Sequence, residues 1–214
     1  MRLLTGVRPT GDLHIGNYFG AIHPLLNLGE ESNELFLFVA DLHALTSSHD
    51  YDSIRSNTLK LTAALISLGF DTEKNTLWIQ SNVPVVCEFM YLLSTLTGFQ
   101  YLRKGHAFKA ALQEVSNPSV ALFLYPVLMA ADILCFQADA VPVGQDQKQH
   151  LEICRDLAER LNLVCPQAVK VPEAIILEEV ALIPGIDGRK MSKSYGNTIP
   201  IFEDDKVCLR GSRK

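Results

Sequence analysis

The sequence has no long uninterrupted hydrophobic run. Its longest apolar stretch, ALFLYPVLMAADILCF at residues 121–136, contains Pro126 and Asp132. A membrane-spanning helix needs about 20 mostly apolar residues, so this stretch is too short. The amino terminus, MRLLTGVRPTG, reaches glycine before the apolar core of a signal peptide could form. We therefore expect no membrane span and no secretion signal, and we predict a cytoplasmic protein.

Paired cysteines are also missing. The chain has five cysteines, Cys87, Cys135, Cys154, Cys165 and Cys208. No two of them form a C-x-x-C pair. This spacing argues against a zinc site, so we expect no metal held by the protein itself. Reduced thiols are what a cytoplasmic protein would carry.

An excess of positive charge is the third absence. The formal net charge is −5 at pH 7 with histidine neutral. Proteins that coat nucleic acids or lie on membrane surfaces are normally basic. Any polyanionic partner must therefore be bound by a local patch of this chain.

Apolar runs and helical periodicity predict a regular alternation of elements. Strands are predicted at 2–7, 34–40 and 76–80, with helices at 16–28 and 53–69 between them. This order is typical of an α/β fold with a doubly wound parallel sheet. Residues 85–135 predict a mainly helical insertion, followed by a fourth strand at 140–143 and an amphipathic helix at 145–162.

The segment GVRPTGDLHIGNYFGA, residues 6–21, follows the first predicted strand and contains four glycines. A glycine-rich turn lets a ligand approach the backbone, and the amides of the next helix favour phosphate. His14 and Asn17 could donate hydrogen bonds to the same anion. The alternative is an ordinary strand–helix turn. The glycine spacing fits neither the dinucleotide-binding motif nor the Walker loop.

A second motif, RKMSKS at residues 189–194, places two lysines and two serines in a loop flanked by glycines. Such a loop can bind phosphate oxygens, although a solvated basic loop is the simpler interpretation. Together, HIGN at 14–17 and KMSKS at 190–194 resemble the two signatures of the class I aminoacyl-tRNA synthetases. Asn17 stands where that family usually has histidine.

Two further stretches, YPVLMAADIL at 125–134 and PVGQDQKQHLEICRDLAERLN at 142–162, resemble tryptophanyl-tRNA synthetases. The resemblance extends over essentially the whole chain. It implies a Rossmann-like catalytic domain with halves at 1–84 and 136–214, separated by a helical insertion and substrate-pocket helix at 85–135. The helical anticodon-binding domain that follows in the family is expected to be largely absent here.

The resemblance assigns the indole N–H of tryptophan to the carboxylate of Asp132. A carboxylate inside an apolar helix is costly without a partner, which fits such a role. A helix-end charge or a buried ion pair is the alternative. The other residues implied to bind tryptophan are Gly6, His43, Tyr125, Met129, Val143 and Gln147.

The resemblance also implies an ATP site and a set of catalytic residues. The catalytic residues would be His14, Asn17, Lys190, Lys193 and Ser194. The ATP-binding residues would be Arg8, Pro9, Thr10, Gly16, Asn17, Gly144, Gln145, Asp146, Leu182, Lys190, Met191, Ser192, Lys193 and Ser194. Arg8 stands where many relatives have glutamine, and Ala111 replaces the second lysine of a pair that begins with Lys109. For His150 and Glu152 we expect a solvated or structural role.

The implied function is ATP-dependent activation of L-tryptophan to tryptophanyl-adenylate and its transfer to tRNA(Trp), with Mg²⁺ on the phosphates. The apolar segment 85–102 and the family resemblance predict a homodimer. Three alternatives stay open: a nucleotidyltransferase of similar architecture, a tryptophan- or tRNA-sensing paralogue without activity, and tyrosine as the substrate.

Overall fold

The computed structural model describes residues 1–30, 34–103, 119–144, 147–176 and 183–202. Five parallel strands form one sheet in the order β3-β2-β1-β4-β5. The strands are β1 (Arg2–Val7), β2 (Glu34–Val39), β3 (Thr76–Ile79), β4 (Ala140–Val143) and β5 (Glu173–Ile176). The strand order reverses at β1, which confirms the doubly wound sheet. In such sheets ligands bind outside the carboxyl ends of the strands at the point of reversal, here β1 and β4.

The predicted strands 2–7 and 140–143 are confirmed residue for residue, and those at 34–40 and 76–80 each end one residue earlier. Gln80 instead begins a short 3-10 helix, Gln80–Asn82. Strand β5 was not predicted from the sequence. Its four residues lie at the sheet edge, and Ile176 is 42% exposed, so the segment lacks the buried pattern that identifies the other strands.

The helices flank the sheet on both faces. They are α1 (Ile15–Asn17), α2 (His23–Glu30), α3 (Asp41–Ala44), α4 (Tyr51–Ser67), α5 (Val85–Thr95), α6 (Phe99–Arg103), α7 (Val120–Cys135) and α8 (Lys148–Val164). A π-helical segment, Tyr18–Ile22, joins α1 to α2, so the predicted helix 16–28 exists with a wider middle turn. The three-part domain division stays a prediction.

Two apolar clusters lie in the core. One contains Leu3, Leu35 and Leu61 around β1, β2 and α4. The other packs α5, α7 and α8 together and includes Leu93 and Leu157. Seven apolar residues and Asp132 are buried along α7, so this helix carries a carboxylate into the core. No helix in the described parts of the chain is both long and apolar enough to cross a membrane.

Leu157 and Leu163 offer a matched test of this packing, because both lie on α8 and they are 0% and 85% exposed. We expect Leu157→Ala to lower the free energy of unfolding by about 2–5 kcal/mol, since it removes core contacts and leaves a cavity. Leu163→Ala should change it by less than about 0.5 kcal/mol. Urea unfolding measures both, and equal effects would contradict the assignment of this helix face to the core.

Candidate active site

A cavity of about 910 Å³ lies at the carboxyl ends of β1 and β4. This volume suits a small organic ligand with a few polar groups. The cavity is lined by every residue that the resemblance implies to bind tryptophan, namely Gly6, His43, Tyr125, Met129, Asp132, Val143 and Gln147. The structure thus brings residues that are far apart in sequence to one cavity.

Asp132 is the acidic group of this cavity, and it is only 2% exposed. Its Oδ2 lies 2.9 Å from Nε2 of His43. Nε2 of Gln80 donates to both carboxylate oxygens, at 2.9 Å and 2.8 Å. Burial raises the pKa of Asp132, and the hydrogen bonds from His43 and Gln80 act in the opposite direction. The site therefore presents a buried, hydrogen-bonded carboxyl group to whatever enters the cavity.

Gln80 was not predicted as a site residue, and it is fully buried. Its Oε1 accepts from the backbone N–H groups of Leu42 at 3.1 Å and His43 at 3.4 Å, in the first turn of α3. The available signal was an uncharged polar residue directly after the apolar strand TLWI. In a parallel sheet, that position lies at the ligand-binding edge.

His150 connects two of the cavity residues. The ring Nε2 of His150 is hydrogen-bonded to Oη of Tyr125, and its Nδ1 lies 3.0 Å from Oε1 of Gln147. His150 is 7% exposed, so the expectation of a solvated side chain is wrong, whereas a structural role fits. Glu152, two residues further along α8, is exposed, in agreement with the solvated alternative.

The glycine at position 6 is required by the close approach of Phe38. A Cβ atom added to Gly6 would lie 2.4 Å from Cζ of the Phe38 ring. Met129 and Val143 add to the apolar lining of the cavity. The walls around Asp132 are therefore largely apolar, and a flat aromatic ligand could pack against them.

His14 and Asn17 form a capping box at the start of α1. Nδ1 of His14 accepts from the Asn17 backbone N–H at 3.2 Å, and the His14 N–H donates to Oδ1 of Asn17 at 3.1 Å. A neutral His14 therefore carries its proton on Nε2. The capping bonds use Nδ1 of His14 and Oδ1 of Asn17, both as acceptors. They leave Nε2–H of His14 and the Nδ2 amide group of Asn17 as donors for a ligand, and the expectation that both bind an anion stays a prediction.

The loop at 189–194 packs directly against the first glycine-rich turn. Nζ of Lys193 donates to the carbonyl oxygen of Thr10 at 2.9 Å, and the Gly16 N–H lies 3.3 Å from Sδ of the buried Met191. Asn197 is 2% exposed and holds the loop, because its Oδ1 accepts from the Ser192 N–H at 2.8 Å. The two motifs found in the sequence are thus in contact.

The proposed ATP residues are only partly assembled around the cavity. Arg8, Thr10 and Gly144 line the cavity. Pro9, between Arg8 and Thr10 in the sequence, is buried. Residues 190–194 do not line the cavity. Lys190, Lys193 and Ser194 are exposed. Gln145, Asp146 and Leu182 lie outside the described residues, as do Lys109 and Ala111.

The chain is similar to known tRNA synthetases. Residues 1–208 match the family model of the class I tRNA synthetases for tryptophan and tyrosine (W and Y). The tryptophan–tRNA ligase of Campylobacter jejuni is 48% identical over 210 residues, which cover 98% of this chain and 66% of that protein. The corresponding ligase of Rhodopirellula baltica is 46% identical over 206 residues, with coverage of 96% and 64%.

A solved structure shows the same similarity in three dimensions. The crystal structure of C. jejuni tryptophanyl-tRNA synthetase, complexed with ADP and tryptophan, superimposes with a TM-score of 0.91 at 48% identity. It covers 99% of this chain, while this chain covers 66% of that one. The chain thus spans slightly less than two thirds of the length of these relatives.

The contact between the two motifs predicts an effect on His14. Its pKa is lowered by burial and, to a smaller extent, by the positive charge of Lys193. We expect Lys193→Met to raise the pKa of His14, because the imidazolium no longer faces a cation. Lys190→Met is the control, since Lys190 is not among the groups that shift His14. NMR titration of the imidazole measures both, and an unchanged His14 pKa in Lys193→Met would contradict the packing of the loop.

Proposed function

The chain belongs to the class I tRNA synthetases for tryptophan and tyrosine, and from its site we propose that it activates L-tryptophan with ATP. The observation that carries this proposal is Asp132, a buried carboxyl group among apolar walls at the ligand-binding edge of the sheet. The proposal includes transfer of the activated tryptophan to tRNA(Trp), which is the reaction of a tryptophan–tRNA ligase.

Asp132 suits the indole of tryptophan for a chemical reason. An indole offers a single N–H donor and no acceptor, and an ionised carboxylate is an acceptor with about four lone-pair sites. In the structure, Oδ1 accepts from Gln80 and Oδ2 accepts from Gln80 and His43. An N–H at Oδ1 adds one more bond to the less occupied oxygen. Phenylalanine has no side-chain N–H to donate to Asp132, so its affinity for the site should be lower than that of tryptophan.

The other end of the amino acid is assigned to Tyr125 and Gln147. Both line the cavity, and both are hydrogen-bonded to His150. Hydroxyl and amide oxygens accept hydrogen bonds from an ammonium group, so these side chains can orient the α-amino group. The carboxylate of the substrate then points towards the nucleotide, at the rim that contains Thr10 and Gly144.

The first reaction joins a carboxylate oxygen of tryptophan to the α-phosphorus of ATP and breaks the bond to pyrophosphate. The substrate supplies its own nucleophile, so the protein needs no general base. Its contribution is to align two anions and to stabilise the charge that develops on pyrophosphate. We assign this stabilisation to Nε2–H of His14, to the side-chain NH₂ group of Asn17, and to Lys190 and Lys193. The α1 amides, which we expected to share it, already donate to other atoms of the protein. Arg8 adds a guanidinium group at the cavity rim.

Mg²⁺ belongs to this proposal as a companion of ATP. Among the described residues there is no group of three or more histidine, cysteine or acidic side chains that could hold a metal ion. Phosphate oxygens and water are the ligands that Mg²⁺ usually takes in nucleotide sites.

We also propose that the protein acts as a homodimer in the cytoplasm. Exposed apolar side chains lie along the helices that follow β3, namely Val85, Tyr91, Leu92, Phe99 and Val120. A second copy would cover this surface, since apolar patches of this kind mark protein contacts. The cysteines of the described residues are free thiols, as expected in a reducing compartment.

ATP–pyrophosphate exchange tested with each standard amino acid examines the proposed function. We expect exchange with tryptophan, and at least about tenfold less with tyrosine or phenylalanine, because neither presents an indole N–H to Asp132. Equal rates with tyrosine would overturn the choice of substrate. Absence of exchange with any amino acid would overturn the activity itself.

Lys193→Ala provides the control for this assay. The substitution should lower exchange by ~10²-fold, the usual loss when one preorganised charge stabiliser is removed. Tryptophan binding without ATP should persist, since Lys193 does not line the cavity that contains Asp132. Such a split would assign the measured exchange to this chain rather than to a contaminating enzyme.

A further inference from the structure

We propose that Gln80 is a positioning residue of the tryptophan site, fixing the carboxylate of Asp132 and the backbone of His43 with one buried amide. The inference rests on the proposed function, because it concerns the group that accepts the indole N–H. Gln80 does not line the cavity and is fully buried, so it acts through its neighbours and not on the substrate.

The amide of Gln80 uses its two ends on different elements. Nε2 donates to Oδ1 and Oδ2 of Asp132, on α7. Oε1 accepts from the N–H groups of Leu42 and His43, in the first turn of α3, where helical amides have no partner within the helix. A single side chain thus connects the pocket helix with the short helix that carries His43.

Only one orientation of this amide satisfies both neighbours. If the amide were flipped, its oxygen would face the carboxylate of Asp132 and its NH₂ group would face two N–H donors. Both contacts would then be repulsive. The orientation of Gln80 is therefore fixed by its surroundings, and so is the plane of the carboxylate that it contacts. A fixed acceptor recognises the direction of an N–H better than a rotating one.

The charge of Asp132 depends on the same contact. Burial raises the pKa of this carboxyl and so does the charge of Asp41, whereas hydrogen bonds from His43 and Gln80 lower it. Within the described part of the chain, the charge of Asp132 also helps to raise the pKa values of the thiols of Cys87 on α5 and Cys135 on α7. Without the Gln80 amide, a hydrogen bond from His43 is left to oppose protonation.

Removal of the Gln80 amide should change how tryptophan affinity depends on pH. Loss of the Gln80 donor raises the pKa of Asp132 further, so the ionised form disappears at a higher pH as the solution is acidified. Because the ionised carboxylate is the stronger acceptor, tryptophan affinity should fall together with it. A residue with only a structural role would instead weaken binding equally at every pH.

Two substitutions separate these effects. Gln80→Met keeps the length of the side chain and removes both hydrogen-bonding ends. Gln80→Glu keeps its shape and places a second carboxyl beside Asp132, which raises the pKa of the pair. Bonds from Ser81 to Asp41, at 3.0 Å and 2.5 Å, hold the turn in place independently of position 80. Gln100→Met is the matched control, because Gln100 is exposed on α6.

The experiment measures L-tryptophan binding to the full 214-residue chain by calorimetry across a pH series, with circular dichroism to verify folding. At neutral pH we expect about tenfold or more weaker binding in Gln80→Met, because the carboxylate is no longer held in the orientation that accepts the indole N–H. The midpoint of the pH profile should move upward in Gln80→Met and further in Gln80→Glu. Gln100→Met should follow the wild-type curve.

Three outcomes would overturn the inference or its premise, and they differ. If both Gln80 variants bind tryptophan as tightly as the wild type, or if their binding is weakened equally at every pH, the role of Gln80 is overturned. The tryptophan site itself is upheld in that case, because the wild-type chain binds tryptophan. No tryptophan binding by the wild-type chain overturns the proposed function instead. If neither variant folds, ligand-free NMR of the wild type decides: the Gln80 side-chain amide must shift as Asp132 titrates, and an amide that does not would overturn the inference.

Discussion

The buried carboxyl group of Asp132 is the constraint on which the rest of the site depends. A carboxyl group at 2% exposure is tolerated only with hydrogen-bond partners, and Asp132 obtains them from two other elements. Gln80 comes from the end of β3 and His43 from α3, so satisfying Asp132 fixes the relative positions of three segments. The hydrogen bonds that offset the free-energy cost of burying the carboxylate also fix its orientation, so it is a rigid acceptor.

The proposed phosphate side of the site is built differently, from backbone groups, helix-capping side chains and exposed lysines. His14 and Asn17 cap α1, and Lys193 reaches the carbonyl oxygen of Thr10 from the far end of the chain. Thr10 lines the cavity that contains Asp132, so the two halves of the site meet where β1 ends. This division agrees with the proposed chemistry, in which the amino acid is recognised rigidly and the charge on pyrophosphate is met by exposed lysines.

The sequence predicted those parts whose signal is local. Strands β1 and β4 follow from buried apolar runs, and Asp132 was conspicuous as a charge within an apolar helix. The edge strand β5 lacked such a pattern because Ile176 is exposed. Gln80 could not be assigned, since its partner lies 52 residues away and only the fold brings them together. The burial of His150 likewise depends on its contact with Tyr125 in another helix.

The proposed specificity depends on one interaction, the hydrogen bond from an indole N–H to Asp132. The most direct measurement compares ATP–pyrophosphate exchange with L-tryptophan and with its benzothiophene analogue, in which sulfur replaces the N–H at nearly the same shape. We expect a kcat/KM at least about 100-fold lower for the analogue, because it lacks the hydrogen bond that the indole N–H donates to the buried carboxylate. Comparable values for the two substrates would show that shape alone selects the ligand, and would contradict the role of Asp132.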